Sequence, residues 1–141
     1  METSPPNKNV YDERFFTYSS RLSPESAKTV VPVLRELFPQ VKSVVDFGCA
    51  RGVWLDSWKQ TGVEDIQGVD GDYVDTSAMI IPNNKFHAQD LNDEIYLGRR
   101  FDLACSLEVA EHLQPENSDK FVQSLTRHAN VVLFSAAPPG Q

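Results

Sequence analysis

The chain has 141 residues and 15.8 kDa, 40% hydrophobic and 23% charged, which is enough for one buried core and too apolar for whole-chain disorder. Thirteen Lys and Arg against twenty Asp and Glu give a net charge of −7. No basic block is present to displace phosphate counterions, so general nucleic-acid binding is excluded as an expectation. No apolar run approaches a membrane span and the N-terminus does not read as a signal peptide. Cys49 and Cys105 form no CxxC pair, so neither a disulfide framework nor a zinc site is expected. These features together point to a reducing, cytoplasmic setting.

In chain order, residues 1–10 are polar, carry Pro5 and Pro6, and read as a mobile tail before a domain over residues 11–141. Tyr11, Phe15 and Tyr18 stand at helical spacing and predict a short helix with an aromatic face, a candidate core cap or lid. Ser23 before Pro24 and Glu25 reads as the start of a second helix running to about Phe38. Within it, Pro32 predicts a kink or break.

Five short β-rich runs follow, at residues 43–48, 65–70, 85–90, 101–107 and 130–136. A helix with Trp54, Leu55 and Trp58 on one face and Gly62 at its C-terminal end separates the first two. Residues 115–129, with Phe121, Val122, Leu125 and Ala129 on one face, form a helix before the last. This βα alternation predicts a doubly wound, mainly parallel α/β/α sheet of about five strands.

Ligands in such sheets sit at the carboxyl ends of the strands. After the first strand, Gly48 and Gly52 bracket a tight turn, with GxxxG spacing in place of the dinucleotide GxGxxG. At the end of the second strand stand Asp70, Gly71 and Asp72; an acid about 20 residues beyond the turn is placed to accept ribose hydroxyls. Asp90 and Leu91 close the third run, where they could meet an adenine edge.

The motifs VDFGCARG (residues 45–52), GVDG (68–71), QDL (89–91) and FDLACSLEVAEHL (101–113) resemble, in order and spacing, the four successive motifs of class I S-adenosylmethionine-dependent methyltransferases. The resemblance covers residues 43–138 and implies a Rossmann-like fold with S-adenosylmethionine as cofactor and S-adenosylhomocysteine as product. It implies that Asp46, Gly48, Cys49, Ala50 and Gly52 shape the loop around the methionine part, that Asp70, Gly71 and Asp72 take the ribose, that Asp90 and Leu91 read the adenine, and that Ser106, Leu107 and Glu108 line the methionyl side. His112 is the candidate general base for a protonated acceptor, whereas His87 reads as a strand residue and His128 as a cation at a helix C-terminus. Glu108, Glu111 and His112 also resemble an ExxEH metal-binding segment of some members, but the same letters recur in members without metal, and no metal is expected.

Two departures stand out. Ala50 replaces the family's more usual glycine and is expected to keep φ below zero. The chain stops after the fifth strand, without the family's usual sixth and seventh, which truncation, a paired homodimer or a partner subunit completing the sheet would each account for. The expected activity is methyl transfer to a small-molecule acceptor. The competing readings are a cofactor-binding domain that is catalytically incomplete alone and, with less support from the spacing, an NAD-dependent dehydrogenase.

Overall fold

The computed structural model describes residues 13–138, with side chains from residue 24 onwards. Tyr11 and the tail lie outside the described residues, as do the side chains of the expected aromatic face. Five strands, β1 (Ser43–Phe47), β2 (Asp65–Asp70), β3 (Phe86–Ala88), β4 (Leu103–Leu107) and β5 (Val131–Ser135), form one sheet in the order β3-β2-β1-β4-β5. Every pairing is parallel. The doubly wound α/β/α reading is thus the observed fold.

All five residues of β1 are buried, as expected for a central strand covered on both faces. Val44 joins Val31, Leu55, Trp58 and Leu103 on the side of helices α1 (Glu13–Leu37) and α2 (Val53–Gln60). Val45 and Phe47 join Phe121 and Leu125 on the side of helix α3 (Ser118–His128). Helix α2 ends in paired bonds from the Gly62 N–H to the Lys59 oxygen and from the Val63 N–H to the Trp58 oxygen, 3.0 and 3.3 Å, which satisfy its last carbonyls.

Three sequence expectations are corrected here. Helix α1 does not begin at Ser23 or break at Pro32; it runs unbroken through Pro24 and Pro32. Ala27 and Val31 are fully buried, and Leu34 and Phe38 continue their stripe against the core. Pro32 lies on the exposed side, where water can serve the freed carbonyl. A proline costs about 3 kcal/mol in a helix interior, and burial of a Val, Leu or Phe side chain returns about 1.5–3 kcal/mol each, so the stripe wins.

The second correction concerns α3, which begins at Ser118 after a separate 3₁₀ turn at Pro115–Asn117. Its Val122 is 52% exposed and does not share the buried face. Third, His128 is no solvated helix-end cation. It is completely buried, its Nδ1–H donates to the Ser124 oxygen at 2.5 Å, and its Nε2 accepts the Leu97 N–H at 3.0 Å. Both bonds require the neutral ring, and burial holds its pKa below the ordinary value. Among the described residues no helix is long and apolar enough to cross a membrane.

Candidate active site

Because the chain leaves β1 towards β2 and β3 on one side and later adds β4 and β5 on the other, the strand order reverses between β1 and β4. The crevice outside the carboxyl ends at such a reversal is where open α/β sheets bind ligands.

The turn after β1 is held against β2. The N–H groups of Gly48 and Cys49 both donate to the Val69 oxygen, at 2.7 and 3.3 Å, and the Ala50 N–H donates to Asp70 Oδ2 at 2.8 Å. Gly48 and Gly52 have φ of 91° and 94°, and each is pressed against another element. A Cβ on Gly48 would lie 2.2 Å from Val109, and one on Gly52 2.8 Å from Ile81. The two glycines are therefore required both by backbone geometry and by close approach.

Ala50 departs from expectation: its φ is +47°, in the left-handed region. The hydrogen bond to Asp70 offsets that strain, which is about 1 kcal/mol for a residue with a Cβ. Ala50→Gly should accordingly raise stability by about 1 kcal/mol, read as a shift in the urea midpoint at unchanged slope. No shift would show that the left-handed turn carries no strain.

Asp70 is the hub of the site. It is only 3% exposed; Oδ1 accepts the Gly71 N–H at 2.8 Å and the Tyr73 hydroxyl, while Oδ2 accepts Ala50. Burial raises its pKa, and these three donors oppose the rise. Asp46, also 3% exposed, is pushed up to about 7 by burial and by the neighbouring Asp70 charge. The Cys49 and Cys105 thiols are buried, and burial foremost, with the Asp46 charge behind it, raises both pKa values. Neither has the environment of a reactive thiol.

A cleft of about 430 Å³ opens beside this hub, lined by Gly71, Asp72, Tyr73, Ala88, Gln89, Asp90, Leu91, Asn92, Val109, His112 and Leu113. Its size suits a small molecule or cofactor. Among the described residues its ionisable lining is Asp72, Tyr73, Asp90 and His112, with no Lys or Arg. Asp90 is exposed and its Oδ1 accepts both the N–H and the Nδ2 of Asn92, at 2.9 and 3.1 Å. Asn92 in turn accepts the Gln114 N–H at 3.0 Å, tying the loop after β3 to that after β4.

Of the residues chosen from sequence, Gly71, Asp72, Asp90, Leu91 and His112 meet in the cleft. Asp46 lies buried in β1, and Gly48, Cys49, Ala50 and Gly52 lie in the turn after it; none of the five lines the cleft. Ser106 is fully buried in β4, and its hydroxyl finds no partner among the described residues. Leu107 closes the strand, and exposed Glu108 follows at φ +55°, a strained conformation of the kind that clusters at functional sites. Its N–H donates to the Ser135 oxygen at 3.0 Å.

Glu111 and His112 approach to 3.6 Å in a 3₁₀ turn. No three His, Cys, Asp or Glu among the described residues are grouped to hold a metal. Tyr73, Val109 and Leu113 were not singled out from sequence. Only Tyr73 carried a signal, an aromatic residue three positions after the acid that closes β2.

Comparison with known proteins follows the geometry. The chain covers 100% of its own length on a sugar N-methyltransferase from Streptoalloteichus, at 24% identity and TM-score 0.70. An aminopentose methyltransferase of calicheamicin biosynthesis from Micromonospora echinaspora, solved with S-adenosylmethionine bound, matches over 91% of the chain at 19% identity and TM-score 0.62. The methyltransferase domain of a bacterial Hen1 matches over 79% at 25% identity and TM-score 0.60. The chain spans 60%, 55% and 64% of the lengths of these three proteins. No curated protein matches it by sequence. A family model described as a methyltransferase domain matches residues 18–137, and by that match over most of its length the chain belongs to the methyltransferase-domain family, with the Rossmann-like fold of its solved relatives.

Proposed function

We propose that this chain binds S-adenosylmethionine in the cleft beside Asp70 and serves methyl transfer to a small-molecule acceptor. The observation that carries the reading is the coupling of the glycine turn to β2 through Asp70, next to a cleft of cofactor size with an acidic lining. The residues fit the group. In this reading the close-packed glycine turn leaves backbone open to a ligand, Asp70 and Asp72 take the ribose hydroxyls, Asp90 and Leu91 the adenine, and Asp46 and Glu108 attract the cationic methionyl end.

When bound, S-adenosylmethionine supplies an electrophilic methyl carbon with sulfur as leaving atom. The protein's task is then alignment and exclusion of water, which can provide much of the rate. His112, on the cleft wall, is placed to take the acceptor's proton. The acidic groups Asp72 and Asp90 in the lining favour neutral or cationic acceptors over phosphorylated ones. Amino sugars, acceptors of the kind named for two of the solved relatives, begin the panel of candidates.

A second reading has its own observation. Among the described residues β5 is an edge strand, and its Phe134 is 49% exposed, so its free edge can accept a further strand, from a second copy, a partner or a further segment of the polypeptide. In that case the chain binds the cofactor but turns over only in the assembly.

Calorimetric titration with S-adenosylhomocysteine, followed by transfer of labelled methyl to the panel, tests both readings. One-to-one micromolar binding with transfer supports the first, and binding without transfer the second. A folded chain that does not bind refutes the cofactor site.

A further inference from the structure

Asp70 has no carboxylate oxygen free of donors. Ala50 and Gly71 donate through the backbone, within a turn fixed by the bonds of Gly48 and Cys49 to Val69 and by the packing of Gly48 and Gly52. The third donor is different. Tyr73 belongs to a side chain that is half exposed on the cleft wall, and two torsions can carry it away. Its ring lies over Gly71 so closely that a Cβ there would come within 2.3 Å of it. The missing side chain of Gly71 is thus what lets the phenol reach back to Asp70.

We propose that the Tyr73 hydroxyl is a resident placeholder for a ribose hydroxyl: a diol reaching Asp70 displaces it, and the released ring swings out against the cleft and the bound nucleoside. The inference rests on the proposed cofactor reading. Exchanging one O–H donor for another keeps three donors on the buried Asp70 in both states, where departure of Tyr73 alone would leave only the two backbone N–H groups. The exchange makes Tyr73 a competitor of the ligand before binding and a cover after it.

The test is titration of wild type, Tyr73→Phe and Tyr73→Ala with S-adenosylhomocysteine and with its 2′,3′-dideoxy analogue. Loss of the hydroxyl in Tyr73→Phe should tighten binding of the diol ligand about three- to tenfold through faster association. The gain should vanish with the dideoxy analogue. Tyr73→Ala, lacking the cover, should dissociate faster than Tyr73→Phe. In protein carrying [¹³Cζ]tyrosine, one phenol resonance should shift on adding S-adenosylhomocysteine and not on adding the analogue. Equal affinities of wild type and Tyr73→Phe for the diol ligand, with loss of binding in Asp72→Asn, would overturn the placeholder and give the diol to Asp72. Failure of the folded wild type to bind S-adenosylhomocysteine would remove the cofactor reading and the placeholder with it.

Discussion

Replacing Asp70 by alanine is expected to abolish detectable binding of S-adenosylhomocysteine and to destabilise the fold, whereas Asp72→Ala should weaken binding with stability unchanged. The difference lies in burial and partners. The Asp70 carboxylate satisfies two backbone N–H groups and the Tyr73 hydroxyl, and its loss removes one of the three bonds that hold the turn after β1 to β2, the other two being those of Gly48 and Cys49 to Val69. An unsatisfied buried donor costs about 1–3 kcal/mol. Relief of the buried charge offsets part of that, so a net loss of about 2 kcal/mol is expected. Asp72 is exposed on the cleft wall, where substitutions change stability by less than about 0.5 kcal/mol. Thermal unfolding and calorimetry on the two variants check this. Equal stabilities would show that the turn is held by the Val69 bonds and glycine packing without Asp70. Asp70→Asn separates charge from geometry, since one side of the amide donates and must face a backbone N–H.

What could be read from the letters divides along a physical line. The five runs were legible because a parallel strand covered on both faces is a short apolar stretch closed by an acid or glycine. Val44, Val45 and Phe47 around Asp46 show this in β1. The edges were less legible: β3 keeps only three paired residues of the six expected, because an edge strand is held on one side only. Helix α1 misled because Ser23, Pro24 and Pro32 carry strong local signals, while the stripe of Ala27, Val31, Leu34 and Phe38 that overrides them is a tertiary effect. His128 misled for the same reason, its ring being claimed by Ser124 and Leu97 from a distance that sequence spacing does not reveal.

In the site, order along the chain located the acids but could not sort them. Asp70 and Asp72 look alike in sequence, and only burial separates a carboxylate that organises the turn from one that faces the cleft. Ala50 shows the opposite case. Its letter argued for ordinary backbone, and the bond from its N–H to Asp70 imposes a left-handed one. Tyr73 was missed because its role depends on the bare Gly71 beneath it.

The second large effect concerns Asp46. Its pKa is pushed up to about 7 in the folded chain from an ordinary 3.8, raised first by burial and then by Asp70. Between these values the unfolded chain has released the proton that the folded chain keeps, so stability falls as pH rises through the window and levels off above about 7. A shift of this size corresponds to roughly 4 kcal/mol. Asp46→Asn removes the titration. A buried amide without full partners gives back about 1–3 kcal/mol, so the variant should be about 2 kcal/mol more stable than wild type at pH 8 and no more stable at pH 4. Urea unfolding at the two pH values measures this, and parallel pH profiles for wild type and variant would refute it.

The same carboxyl links stability to the proposed cofactor. A cation bound beside Asp46 favours its ionised form, so binding should release a proton below pH 7, and affinity should rise with pH towards that value. S-adenosylmethionine, with its sulfonium, should show this more strongly than S-adenosylhomocysteine, gaining up to about tenfold between pH 6 and 8. Proton release appears in calorimetry as a binding enthalpy that depends on the buffer's ionisation heat. Asp46→Asn should lose both the pH dependence and the proton release, and should bind the sulfonium ligand more weakly at pH 8. A buffer-independent enthalpy in the wild type would place the cation away from Asp46. A variant that is more stable and binds worse would define what the buried carboxyl is for: a charge kept beside Asp70 at a cost in stability because the ligand it meets is positive.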